Sequence, residues 1–290
     1  MKLIQILSLL SILTLVACQS DDDIFIDNDG IIDINDSNNN GHVNLNDLEE
    51  LGRLLFWDPI LSGGLDVSCA TCHHPDFGYA DGRSLPIGIG GRGLGPERVD
   101  VLDDGMGLVG RNSPTILNTA FNGMDEEGNY NPALAPMFWD NRAFSLEEQA
   151  LLPLHSFEEM RGHAFDESVT LDSIVARLSA NTQYQALFTA AYGQEDAITS
   201  DNIGHAIATF ERSITATNSP FDRYQAGDEN ALTQQQIRGF NRFRNIGCDD
   251  CHSGPMFSDF ELHVLAVPDH PMLTESDRGA NGTYAFRTPT

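Results

Sequence analysis

Two short runs set cysteines beside a histidine: Cys69-Ala-Thr-Cys72-His73 and Cys248-Asp-Asp-Cys251-His252. Paired cysteines at this spacing serve three chemistries. Two disulfides suit an exported chain. Zinc also takes C-x-x-C, although 175 residues separate Cys72 from Cys248, far more than a compact zinc ribbon spans. Neither explains a histidine directly after both pairs. Covalent haem c does, because two thioethers fix the macrocycle while the adjacent imidazole reaches the iron from one side. On this reading Cys69, Cys72, Cys248 and Cys251 attach two haems, and His73 and His252 are the proximal iron ligands. His74 cannot reach the opposite face of the same haem, since the chain there is pinned to the proximal side. It is expected at the surface or against a propionate.

The rest of the chain must position these groups. At 290 residues there is length for about two domains. Sixteen Lys and Arg stand against 43 Asp and Glu, a net charge of −27. That balance argues against nucleic acid and suits a basic protein partner or simple solubility. The first residues, MKLIQILSLLSILTLVACQS, read as an export signal over 1–17. Leu15-Val-Ala-Cys18 resembles a lipobox, which makes Cys18 the lipidated residue of a membrane-anchored lipoprotein, facing the periplasm or the cell surface. An ordinary cleavage site beside a cysteine is the alternative. Residues 18–48 form an acidic linker. Within it Asp36, Asn38, Asn40, Asn44 and Asp47, with Gly41 at the turn, fit a calcium loop of EF-hand type. Asp47 replaces the usual bidentate Glu, and a plain Asn/Asp linker fits the same composition.

Helical periodicity dominates from there. Leu171, Ile174, Val175 and Leu178 form one stripe; Tyr184, Leu187, Phe188 and Ala191 form a second. Ile203, Ala206, Ile207, Phe210 and Ile214 form a third. Ser145-Leu-Glu-Glu148 and Thr233-Gln-Gln-Gln236 read as capping boxes. In the first, Glu148 is expected to fold back onto the Ser145 amide, leaving Glu147 free. Gly88–Gly95 reads as a loop. The chain is therefore expected to be mainly α, with long loops and few strands.

Eight ordered segments resemble the bacterial di-haem cytochrome c peroxidase family, which includes the MauG-type enzymes. They are Leu51–Pro59, the first haem motif, Gly110–Asn118, Phe138–Ala143, Leu146–Ala150, Asn218–Tyr224, the second haem motif and Ala285–Pro289. The resemblance covers residues 49–290. It implies two class I cytochrome c-like haem domains, an N-terminal peroxidatic one (49–217) and a C-terminal electron-transfer one (218–290). The implied reaction is reduction of hydrogen peroxide, with electrons from a small cytochrome c or cupredoxin. The alternatives are MauG-like oxidation of a protein side chain and a non-enzymatic electron carrier. A homodimer is compatible with the family.

By the resemblance, the distal acid–base residue maps onto Glu147. Without it, Glu147 would simply complement the helix dipole. Asn112 maps onto an inter-domain calcium site, where a loop Asn bonding the backbone is the plain reading. Asp140 and Arg142 are expected to hold the loop or a propionate. The chain departs from the family pattern in several places. Met137 stands where better-known members place glutamine. Ile89 stands where they place a histidine that blocks the first iron, so an open distal position is expected, unless His155 or His163 closes it. Neither Trp57 nor Trp139 can be assigned to the inter-haem tryptophan. With 38 residues after His252, the second haem's distal ligand is expected beyond Thr290, since Met256 and Met272 are poorly placed.

Overall fold

The computed structural model describes residues 24–26, 31–34, 43–101, 106–124, 131 and 135–290, the first two stretches as backbone only. Cys18, Asp36, Asn38 and Asn40 lie outside the described residues. Among those described, no helix is long and apolar enough to cross a membrane.

The molecule is mainly helical, with three small antiparallel sheets. Strands β1 (Ile24–Ile26), β2 (Ile31–Ile34) and β3 (Val43–Asn44) lead into helix α1 (Leu45–Trp57). Asn44 starts that helix by accepting from the amides of Asn46 and Asp47 at 3.1 and 3.4 Å, which satisfies two orphan first-turn donors. Leu48, Leu51 and Leu55 fall on one face and are fully buried, each contributing about 1.5–3 kcal/mol relative to exposure. The next elements are the one-turn helix α2 (Cys69–Cys72) and the hairpin of β4 (Gly91–Arg92) with β5 (Val99–Asp100).

Helix α3 (Leu146–His155) is capped by Ser145, whose hydroxyl accepts from the Glu148 amide. Glu148 folds back onto the Phe144 amide at 2.9 Å rather than onto that of Ser145, one residue earlier than the capping-box spacing predicts. Pro153 lies inside α3, and the chain passes from its end into a single π-turn over Phe157–Arg161. Proline removes a ladder donor, and wide turns of this kind concentrate at functional sites. Helices α4 (Thr170–Ser179), α5 (Thr182–Tyr192) and α6 (Ser200–Ser213) follow, with the three predicted stripes facing inward.

The core forms where α1 crosses α6. A methyl group built on Gly52 would lie 1.8 Å from the Ala206 carbonyl oxygen, so only glycine lets the two backbones approach this closely. Phe56 and Phe210 lock the crossing edge to face, with ring centroids 5.1 Å apart.

Beyond α6 come α7 (Pro220–Gln225), α8 (Gln234–Asn245), and the pair β6 (Leu262–His263) with β7 (Phe286–Arg287). The predicted Thr233–Gln236 box caps α8, and Gly247, at φ 81°, turns the chain into the second cysteine motif. Neither α7 nor α8 buries a residue. Their apolar faces instead meet in a half-covered ring cluster of Phe221, Phe240, Phe243 and Phe257.

Replacing Gly52 by Ala should push α1 off α6 and destabilise the folded chain by about 1–3 kcal/mol, as overpacked cores do. Thermal melting of the haem-loaded protein checks this, and an unchanged midpoint contradicts the close-approach reading.

Candidate haem-binding sites

Helix α2 places Cys69 and Cys72 three apart, on one side of a single turn. Thr71 tightens that turn by accepting from the Ser68 amide at 3.0 Å. His73 closes it, its amide donating to the Cys69 carbonyl at 2.9 Å. At the second motif a 3-10 turn over Cys248–Asp250 does the same work, with the His252 amide bonded to the Cys248 carbonyl at 3.0 Å.

Both imidazoles are oriented by one device. His73 Nδ1 lies 3.1 Å from the Tyr79 carbonyl oxygen, and His252 Nδ1 lies 2.9 Å from that of Phe257. Donation from Nδ1 to a carbonyl fixes the tautomer that leaves the Nε2 lone pair free for a metal. Tyr79 and Phe257 hold left-handed φ angles of 57° and 52°, uncommon for non-glycine residues. Burial pulls the His73 pKa down, which keeps the imidazole neutral, and pushes the Cys72 thiol up to about 12.

The first motif opens on a broad, partly open cleft lined mainly by apolar atoms. Cys69, Cys72 and His73 lie on its wall, with Ile116, Met137, Leu146, Ala150, Met160 and Ile207 supplying apolar cover. Two carboxyl side chains also reach it, Glu159 from the π-turn and Glu211 from α6. Glu211 is buried, and its Oε2 has no hydrogen-bond partner. Two thiols, a neutral imidazole and a large apolar cleft fit a covalently held haem. At the second motif the His252 ring lies 6.3 Å from that of Phe243, within the half-covered phenylalanine cluster.

The predicted distal residue is placed differently from the cavity wall. Glu147 projects from α3 towards α6, where both guanidinium nitrogens of Arg212 grip it at 2.5 and 2.9 Å. It does not line the cleft; Gln149, on the same helix, does. Burial would raise the Glu147 carboxyl, but the hydrogen bonds and charge of Arg212 outweigh it and hold the group below the usual carboxylate range.

Ile89 also stays off the cleft wall, although Pro86 of the same loop is on it. The loop is pinned by Arg98, which is 5% exposed and donates to the carbonyls of Ile87, Gly88 and Gly93. Gly88 meets the π-turn so closely that a methyl there would lie 2.1 Å from the Glu158 carbonyl oxygen. Among the described residues His73 is the one histidine on the wall; His163 instead packs edge to face on Phe157. His74 is not at the surface, one of the two places expected for it. Its side chain is 14% exposed and packs edge to face on Trp57 at 5.4 Å.

Asn112 lies on the cleft wall, its amide donating to the Arg83 carbonyl at 2.6 Å and its own carbonyl accepting from the Trp139 indole at 2.9 Å. Asp47 sits in the first turn of α1. Asp140 holds the loop as expected, pairing with Arg111 and Arg142, while Arg142 lies over the Phe138 ring.

Three features of the site escape sequence reasoning: the Arg98 clamp, the Glu211 carboxyl and a join between distant segments. In that join Arg111 grips both oxygens of Asp277 at 2.7 and 2.9 Å. The Arg287 amide donates to the Trp139 carbonyl at 2.7 Å, and the Asn141 side chain donates to the Phe260 carbonyl. Arg287, Pro289 and Thr290 thereby complete one wall of the first cleft. The only available signal was the burial of charge, which a single sequence does not display.

Comparison with known proteins agrees with this geometry. The family model for di-haem cytochrome c peroxidases matches residues 46–230. The chain belongs to that family. It is 36% identical to the methylamine utilization protein MauG of Methylophilus methylotrophus, over 83% of this chain and 63% of that protein. It is 36% identical to the cytochrome c peroxidase Ccp of Escherichia coli K12, over 75% of this chain and 39% of the other. Among solved structures, a MauG-like protein associated with microbial copper homeostasis superposes with a TM-score of 0.64 at 25% identity, covering 84% of this chain and 68% of that one. The chain thus spans less than two thirds of the curated relatives' length.

The Arg111–Asp277 pair makes the join depend on pH. Hydrogen bonds from Arg111 hold the Asp277 carboxyl below its usual pKa. Its contribution is therefore complete above the unfolded value of about 3.9 and is lost as pH falls through the lower folded value. Hydrogen exchange in residues 277–289 should stay slow at neutral pH and rise only below about pH 4. Asp277→Asn should raise it already at pH 7; equal exchange in both proteins contradicts the assignment.

Proposed function

We propose that this chain is an exported di-haem peroxidase that reduces hydrogen peroxide with electrons from a small cytochrome c or cupredoxin. One observation carries the reading. His73, oriented through Nδ1 beside two cysteines, faces a cleft whose wall, among the described residues, has no second histidine and does have carboxyl groups. Haem bound there supplies the redox centre, and the chain's own groups supply orientation, exclusion of water and proton handling. The apolar wall and the clamped Ile87–Gly93 loop exclude bulk water. Ile89 has no ligating atom and would not block a haem bound in the cleft.

Glu147 is proposed as an acid–base group, held ionised by Arg212 and therefore a proton acceptor at neutral pH. From its present position it serves the cleft only after that pair opens. The second haem, held by Cys248, Cys251 and His252 against the phenylalanine cluster, is proposed to pass electrons inward. Residues 49–217 and 218–290 are the corresponding domains. The charge of −27 suits a basic donor. Lipidation at Cys18, membrane anchoring, calcium at Asn112 or at the Asp36–Asp47 loop, and homodimer formation belong to the same proposal. The similarity to MauG favours a second reading, in which the same haems oxidise a protein side chain.

Glu147→Gln should slow peroxide cleavage by about 10²–10⁴-fold, measured by rapid mixing of the haem-loaded chain with peroxide and reduced cytochrome c. A wild-type rate would remove Glu147 from the mechanism. Turnover by the unaltered protein supports the peroxidase, whereas oxidising equivalents stored without turnover support the second reading.

A further inference from the structure

Helix α6 carries adjacent residues with opposite fates. Arg212 turns towards α3 and spends both guanidinium nitrogens on Glu147. Glu211 turns into the first cleft, is 4% exposed, and keeps an Oε2 without a partner. An ionised carboxylate stripped of water and left uncompensated is strongly disfavoured. Burial accordingly pushes the Glu211 acid up to about 8, against the pull of Arg212 and with the Glu147 charge adding to the rise. The charged and titratable groups set against it are Arg212 on its own helix, Glu147 on α3 and Cys69 on α2, with Glu159 of the π-turn and Arg142 elsewhere on the cleft wall.

The two carboxyls on neighbouring helices are thus driven apart. Glu147 is held as an anion and Glu211 as a neutral acid, the arrangement by which one site obtains a base and an acid at the same pH. Their positions differ in the same sense, since Glu211 lines the cleft and Glu147 does not. Glu211 also faces the Cys69 thiol on α2.

We propose that Glu211 is the proton donor of the first cleft, hydrogen-bonding an oxygen ligand there and protonating the oxygen that departs when its O–O bond breaks. This rests on the peroxidase reading. Hydrogen peroxide takes up two electrons and two protons and gives two waters. The O–O bond breaks with its electron pair on the departing oxygen, and the Glu211 O–H proton forms that oxygen's new bond. The two electrons come one at a time from the donor protein, solvent supplies the second proton to the other oxygen, and solvent also reprotonates the carboxylate.

Infrared difference spectroscopy and rapid mixing on the full haem-loaded chain test this together. The unaltered protein should show a protonated-carboxyl stretch at pH 7 that disappears as pH rises through about 8 and is missing in Glu211→Gln. The variant should cleave peroxide about 10²-fold more slowly while its haems are still reduced by dithionite at the normal rate. If the wild-type chain shows no such band, Glu211 holds no proton and the inference is overturned without need of a variant. If the band is lost but cleavage keeps its wild-type rate, the inference fails while the peroxidase reading stands. If the unaltered protein turns over no peroxide, both fail.

Discussion

The arrangement depends on how a backbone carbonyl holds an imidazole beside two cysteines. At both motifs the turn that closes on the first cysteine delivers a histidine whose Nδ1 meets a carbonyl a few residues on, from Tyr79 and from Phe257. An untethered imidazole would sample both tautomers and many rotamers. Here each side chain is committed before any metal arrives. The left-handed conformations of Tyr79 and Phe257 aim those carbonyls, so local backbone cost is exchanged for a defined ligand direction.

Buried charge supplies the second constraint. Arg98, Arg111 and Arg212 each satisfy groups that the fold would otherwise strand: three loop carbonyls, two aspartates, and a glutamate. Arg98 fixes the loop that carries Ile89, and Arg111 fixes the segment that closes one wall of the cleft. Arg212 draws Glu147 away from that cleft and leaves Glu211 facing it. The shape of the cleft beside His73 is therefore set largely by guanidinium groups at its edges.

Much of this was legible in the sequence. The stripes of α4, α5 and α6 and the α8 cap follow from period and cap chemistry, which act over a single turn. The tight turns that set a histidine directly after each cysteine pair were equally local. What the sequence concealed depends on contacts between distant residues. Arg111 meets Asp277 across 166 positions and Glu147 meets Arg212 across 65. No periodicity announces either pair. His74 was misjudged for the same reason, because its burial is decided by Trp57, which belongs to α1. The Ser145 box was displaced by one residue because Glu148 finds the Phe144 amide in better reach.

The central claim is that each of two cysteine pairs holds a haem whose iron is taken by the adjacent histidine. Mass spectrometry of proteolytic peptides from the exported protein tests it most directly. Both the peptide containing Cys69–His73 and the peptide containing Cys248–His252 should carry the added mass of one porphyrin with its iron. Free thiols, disulfides or a removable zinc ion at either pair would contradict the account.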